Sequence, residues 1–271
     1  MKGMYKMDNR PIGMFDSGVG GMTVFKEIIK YNKNEDIVYL GDTKRFPYGS
    51  KSKETIIDLT RRGIEFLIKN NVKAIVIACG TATSQALEIL REEYDIPIIG
   101  IIEPTVNYIK ENERLKNIGV IATTGTIRSR GWQDAIVKAN SNLSISYKAC
   151  PLLAPMAEEG WTDNEIARLT IKEYLKDFKN IDCLILGCTH YPLFKNAIQE
   201  VLDSEVEIIN TGEMVFRKLK EMLDKNDMKS EVKDKANYEI YLTDKETNFL
   251  NVAYNLLEDN ELVDEIIQVE I

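Results

Sequence analysis

Ala74-Ile75-Val76-Ile77-Ala78-Cys79-Gly80-Thr81 is a short apolar run that ends abruptly in a cysteine, a glycine and a hydroxyl. Its lack of polar alternation predicts a strand buried on both faces, as in a parallel sheet. Cys183-Leu184-Ile185-Leu186-Gly187-Cys188-Thr189 repeats the pattern. Two more pairs keep the same order at nearly the same spacing: 12–18 with 118–124, and 98–103 with 207–212. Three such matches point to two related lobes.

Outward from these runs, strands are predicted at 12–15, 37–40, 74–78, 98–101, 118–122, 144–148, 183–186, 206–209 and 239–242. Helical patterns lie between them, so the class is α/β with largely parallel sheets. Thr162-x-x-Glu165 and Thr243-x-x-Glu246 read as capping boxes, and Pro104 and Pro192 suit a first helical position. Residues 226–237 are charged and poor in apolar side chains, which predicts an exposed connection. Ligands of doubly wound sheets bind beyond the carboxyl ends of the strands. Cys79 and Cys188 each stand at such an end, so facing lobes would aim two thiols at one cleft.

The chain has 271 residues, 44% of them hydrophobic, enough for one large domain or two ordinary ones. With 43 acidic against 35 basic residues the net charge is −8, which argues against nucleic acid as a partner. An anionic ligand must then be held by local donors. The first ten residues lack the apolar core of a signal peptide, and no apolar run has the length of a membrane span, so a cytoplasmic protein without membrane contact is expected. Four cysteines without a C-x-x-C pair, beside one histidine, do not have the spacing of a zinc site. No metal is expected. A free cysteine is ordinarily a small buried hydrophobe, the reading applied here to Cys150 and Cys183. Tyr5, Trp132 and Trp161 are read as core or surface aromatics.

Two opposed thiols suit the removal of a Cα proton from one face of an amino acid and delivery of a proton to the other. Pyridoxal phosphate would be the alternative electron sink, but no lysine stands in a convincing context for it. Without it, a carbanion needs donors around its carboxylate. Gly80-Thr81 and Thr189-His190 lie where helices begin, with free N–H groups. Asp16-Ser17-Gly18-Val19-Gly20-Gly21 follows the first strand; Ser17 offers a hydroxyl, and its glycines would let main chain approach a ligand closely.

IGMFDSGVGG (12–21), GDTKRFPYG (41–49), IACGTAT (77–83) and LGCTHYPL (186–193), with GIIEP (100–104) and IATTGTIRS (121–129), together resemble the glutamate racemases. The resemblance runs from residue 12 to about 213, and the C-terminal segment is compatible with it. It implies an isomerase that interconverts L- and D-glutamate without a cofactor and supplies this D-amino acid for peptidoglycan, cell-wall biogenesis and cell shape. It also implies two pseudosymmetric doubly wound lobes with the active site in the cleft between them. The lobes are expected at 1–102 plus 211–271 and at 103–210. Carried over by position, Cys79 and Cys188 match the catalytic thiols, with Asp16 and His190 their polar assistants. By the same analogy Cys79 deprotonates D-glutamate and Cys188 L-glutamate. Asp16, Ser17, Tyr48, Gly49, Gly80, Thr81, Thr189 and His190 match substrate-binding positions. Asp42 and Glu158 match supporting acids, and Thr123 and Thr126 match positions near the substrate.

One position departs from the family. Cys-Asn-Thr is its usual reading, whereas this chain has Cys79-Gly80-Thr81. The missing side-chain amide is expected to leave room that a water fills, or a wider pocket. A racemase of aspartate, a thiol-dependent decarboxylase or hydrolase, and a non-catalytic amino-acid-binding protein remain as other readings. The paired cysteines argue against the decarboxylase or hydrolase and against the binding protein, since neither needs a thiol at both strand ends. The oligomeric state is left open, a homodimer being one option.

Overall fold

The computed structural model describes residues 7–202, 205–245, 249–257 and 266–271. Ten strands are found among them: β1 (Ile12–Asp16), β2 (Ile37–Gly41), β3 (Ala74–Ile77), β4 (Ile98–Gly100), β5 (Asn117–Ala122), β6 (Ser144–Ala149), β7 (Cys183–Leu186), β8 (Glu207–Ile209), β9 (Tyr238–Leu242) and β10 (Ile266–Gln268). They form two sheets, ordered β10-β9-β2-β1-β3-β4 and β6-β5-β7-β8, and every pairing is parallel. The run 2-1-3-4 in the first sheet is the run 6-5-7-8 in the second, so the repeat seen in sequence is a repeat of topology. Even the terminal hydrogen bonds match: Ala78 N–H donates to Phe15 C=O, and Gly187 N–H donates to Ile121 C=O.

The central strands β1, β3 and β7 are buried along their whole length, which is why they carry unbroken apolar runs. β6 is a partly exposed edge and carries polar residues. All nine predicted strands are present within a residue or two of their expected ends. β10 has no predicted counterpart. Among the described residues no helix is long and apolar enough to cross a membrane.

Several local expectations are corrected. The helix Glu165–Leu175 is capped by Asn164, whose side chain accepts the Ala167 N–H, so Thr162 is not its cap. Pro104 is the third residue of Ile102–Glu111, where its lost N–H still costs nothing. Glu246 of the other capping box lies outside the described residues. Thr243 instead donates to Asp42 Oδ1 and accepts the Lys44 N–H. The connection 226–237 is not wholly exposed: Ser230 is buried and bonds to Glu35, which pairs with the buried Lys73. Trp132 lies in the core and Trp161 is largely exposed, while Tyr5 falls outside the described residues.

Candidate active site

Cys79 caps the helix Gly80–Glu93. Its sulfur accepts the Ala82 N–H at 3.5 Å, one of the free donors of the first turn. The same Sγ donates to Ser17 Oγ at 3.5 Å. Burial and the nearby Asp16 charge push the thiol up to about 12, against the pull of the Ala82 N–H and the Ser17 hydroxyl. In this environment Cys79 holds its proton.

Cys188 sits at the corresponding position beyond β7, in different company. Its Sγ lies 3.7 Å from His190 Nδ1, and His190 Nε2 lies 2.7 Å from Glu158 Oε1. Burial opposes a charge on the imidazole, but hydrogen bonds to Cys188 and Glu158 outweigh it and raise the His190 pKa well above its ordinary value. Phe46 covers the ring at a centroid distance of 5.3 Å.

Asp16 is fully buried behind the cavity. It accepts the Gly18 N–H at 3.0 Å and the Thr189 hydroxyl at 3.3 Å, which joins the two strand ends. Burial pushes its carboxyl up to about 6, although the His190 charge, the Gly18 and Gly21 N–H groups and Thr189 hold it down. Glu158 accepts the Val19 N–H at 3.2 Å and so reaches the loop after β1 from the other sheet. Thr23 makes a further tie, with its hydroxyl 2.9 Å from the carbonyls of both Gly20 and Thr189.

The glycine-rich turn has a different use from the one expected. A β-carbon on Gly20 would lie 2.5 Å from both His190 Nδ1 and Thr189 Oγ1. Gly18 and Gly20 thus admit side chains that come from the second sheet, Glu158 at Gly18 and Thr189 and His190 at Gly20, while Gly21 makes room for Tyr39 and Asp16 of its own sheet. Gly80 is also corrected. A β-carbon there would lie 2.2 Å from the Gly187 carbonyl oxygen, so main chain already fills the space assigned to a water or a wider pocket.

On the far wall, Thr81, Thr123 and Thr126 hydroxyls form a triangle with sides of 2.9, 2.9 and 3.1 Å. Tyr48 donates to Asp42 Oδ2 at 2.6 Å, and Asp42 Oδ1 receives Arg45 at 2.7 Å and Thr243 at 2.8 Å. Asp42 therefore anchors the segment carrying Tyr48 and Gly49.

Ser17, Tyr48, Gly49, Cys79, Gly80, Thr81, Thr123, Cys188, Thr189 and His190 all line one small, narrow cavity. Asp16, Asp42, Thr126 and Glu158 stand behind this wall. Phe46, Pro47 and Ala154 also line it and were not singled out from sequence. The first two lie inside the quoted GDTKRFPYG block; Ala154 carries no chemical signal. Among the described residues no group of three His, Cys, Asp or Glu is placed to hold a metal ion.

Two like-built parallel sheets, each sending a cysteine from the end of the matching strand into one small cavity, define a two-lobed α/β enzyme. The profile of the Asp/Glu/Hydantoin racemase family matches residues 21–219, and the chain belongs to that family of isomerases. It is 42% identical over 250 residues to the glutamate racemase of Geobacter metallireducens, covering 92% of this chain and 93% of that protein. It is 40% identical over 265 residues to that of Lactococcus lactis, covering 97% and 98%. In three dimensions it is similar to the glutamate racemase of Francisella tularensis solved in complex with D-glutamate. That match has a TM-score of 0.90, 39% identity, and covers 97% of this chain and 98% of the other.

Proposed function

We propose that this chain interconverts L- and D-glutamate without a cofactor, by a two-thiol mechanism, and supplies D-glutamate for peptidoglycan in the cytoplasm. The observation that carries the reading is that Cys79 and Cys188, from the matching ends of β3 and β7, line the same cavity. The lobes that meet there are assigned to 1–102 with 211–271 and to 103–210.

One cysteine, as thiolate, takes the Cα proton and becomes a thiol. The opposite thiol gives its proton to the other face of the carbanion and becomes a thiolate. The protonation of the pair is thereby inverted, and water restores it between turnovers. Cys79, held as a thiol, is the proton donor in the L-to-D direction, with Cys188 as base. His190, kept protonated and fixed by Glu158, stabilises a thiolate at Cys188. Ser17, Thr81 and Thr189, with N–H groups at the helix starts, receive the substrate carboxylates; their donors strengthen as charge gathers on the α-carboxylate.

The test is proton NMR of the protein with L-glutamate in deuterated water. Loss of the Cα proton signal with appearance of the D-enantiomer is expected, and an aspartate control is run beside it. No exchange and no inversion of glutamate, or turnover of aspartate alone, would overturn the assignment.

A further inference from the structure

Arg45 lies inside the GDTKRFPYG block, yet it does not line the cavity and has no part in the chemistry above. The four residues after it, 46–49, all form cavity wall. Asp42 clasps that segment at both ends. Arg45 Nη1 donates to its Oδ1 at 2.7 Å, and the Tyr48 hydroxyl donates to its Oδ2 at 2.6 Å. The short turn Thr43–Arg45 closes with long main-chain bonds of 3.2 and 3.3 Å, which hold a wall weakly by themselves. A second arm reaches further: Arg45 Nη2 donates to the Ile271 carbonyl at 3.1 Å. Residue 271 lies just beyond β10, whose line is extended by the Val269 N–H donating to the Leu242 carbonyl at 2.9 Å. Val269 and Ile271 pack on the apolar cluster that contains both Tyr48 and Cys79. Segments 226 positions apart thus meet at one guanidinium, whose planar fork serves two acceptors at once.

We infer that Arg45 is a positioning residue, a two-armed brace that holds the 46–49 wall between Asp42 and the main chain of residue 271. The segment 266–271 thereby helps to shape the pocket without lining it. This rests on the glutamate reading only in taking that cavity as the substrate site. Both thiols are buried and the cavity is narrow, so the wall decides what reaches them. Pro47 is exposed and Phe46 only partly buried, so solvent lies outside the wall and leaves it room to swing outward. With the brace cut it does so, and Tyr48 and Gly49 lose their place. Neither thiol stands on this segment. The loss therefore falls on substrate binding rather than on proton transfer.

Arg45→Met removes both arms, while Arg45→Lys keeps the charge but lacks the fork that spans both acceptors. Deletion of 269–271 removes the far acceptor alone. Each is compared with the native chain for glutamate turnover and for alkylation of its cysteines by iodoacetamide without substrate, followed by mass spectrometry. Cys150 and Cys183, which are buried and do not line the cavity, are internal controls. Expected in all three is a KM for glutamate at least about fivefold higher with kcat within about threefold, as lost binding requires. Alkylation of Cys79 and Cys188 should quicken at least about fivefold relative to the two controls, as a local opening requires. A merely weakened fold exposes all four cysteines together and leaves that ratio alone. A smaller rise in KM for Arg45→Met, or a rise without a change in the ratio, overturns the inference. If the deletion leaves both readouts native while Arg45→Met changes them, the arm to residue 271 is idle and the brace as stated falls. Should the shortened chain not fold, Arg45→Lys decides the same point. Failure of both Arg45 variants to fold also overturns it, because the brace is a local device. If the native chain does not turn over glutamate, the function proposed above fails by itself, and the alkylation ratio still decides the role of Arg45.

Discussion

His190 is held between two partners, with Nε2 2.7 Å from Glu158 Oε1 and Nδ1 3.7 Å from Cys188 Sγ. The ring is 2% exposed, so its charge depends on those partners rather than on water.

Glu158→Gln removes the carboxylate and keeps the shape. A carboxylate in contact moves a neighbouring pKa by about 1–3 units. The His190 pKa is raised in the native site, so its loss of Glu158 lowers it, and the high-pH limb of the rate profile should move down by about one unit. kcat/KM at neutral pH should fall about tenfold. An unmoved pH profile would remove Glu158 from the chain of charge.

Cys79→Ser and Cys188→Ser each take away one positioned acid or base, an effect of about a hundredfold or more. Both directions of turnover should fall by at least that in each variant, measured by circular dichroism of the reacting enantiomers. Near-native turnover in either variant contradicts the two-base mechanism.

Asp16 stores a pH-dependent instability. Its folded pKa is raised from 3.8 to about 6 by burial. A carboxyl with a raised folded pKa favours the fold while protonated, below the unfolded value, and that contribution is lost as pH rises through about 6. Two pKa units correspond to about 3 kcal/mol as an upper scale. Asp16→Asn should thus be more stable than native at pH 8 by about 1–3 kcal/mol, with the difference gone near pH 4, and less active throughout. Denaturant midpoints at the two pH values decide it; equal differences at both refute the burial argument.

Tyr48→Phe leaves the buried Asp42 carboxylate with Arg45 and Thr243 but without its shortest hydrogen bond. Hydrogen bonds to charged groups contribute about 1.5–3 kcal/mol. The variant should lose stability on that scale and show a raised KM, because Tyr48 and Gly49 form part of the cavity wall. A KM and a melting temperature both unchanged would show that Asp42 does not anchor this segment.

The sequence by itself determined the alternating order of strands and helices, the internal repeat and the position of both thiols. These are local properties: a strand buried on both faces must be continuously apolar, and a cysteine before Gly-Thr or Thr-His marks the point where it stops. The cap at Asn164 was missed because serine-like cap residues at 162 and 164 differ only in how the chain enters the helix. Tertiary structure alone decided what the glycines are for and what the acids hold. Gly20 meets His190 and Gly80 meets Gly187 across the cleft, while Asp42 is bound from β9 through Thr243. Each of these contacts joins residues more than a hundred positions apart. No local pattern encodes them, since the space at a glycine and the donors at a carboxylate are set by whichever segment packs there.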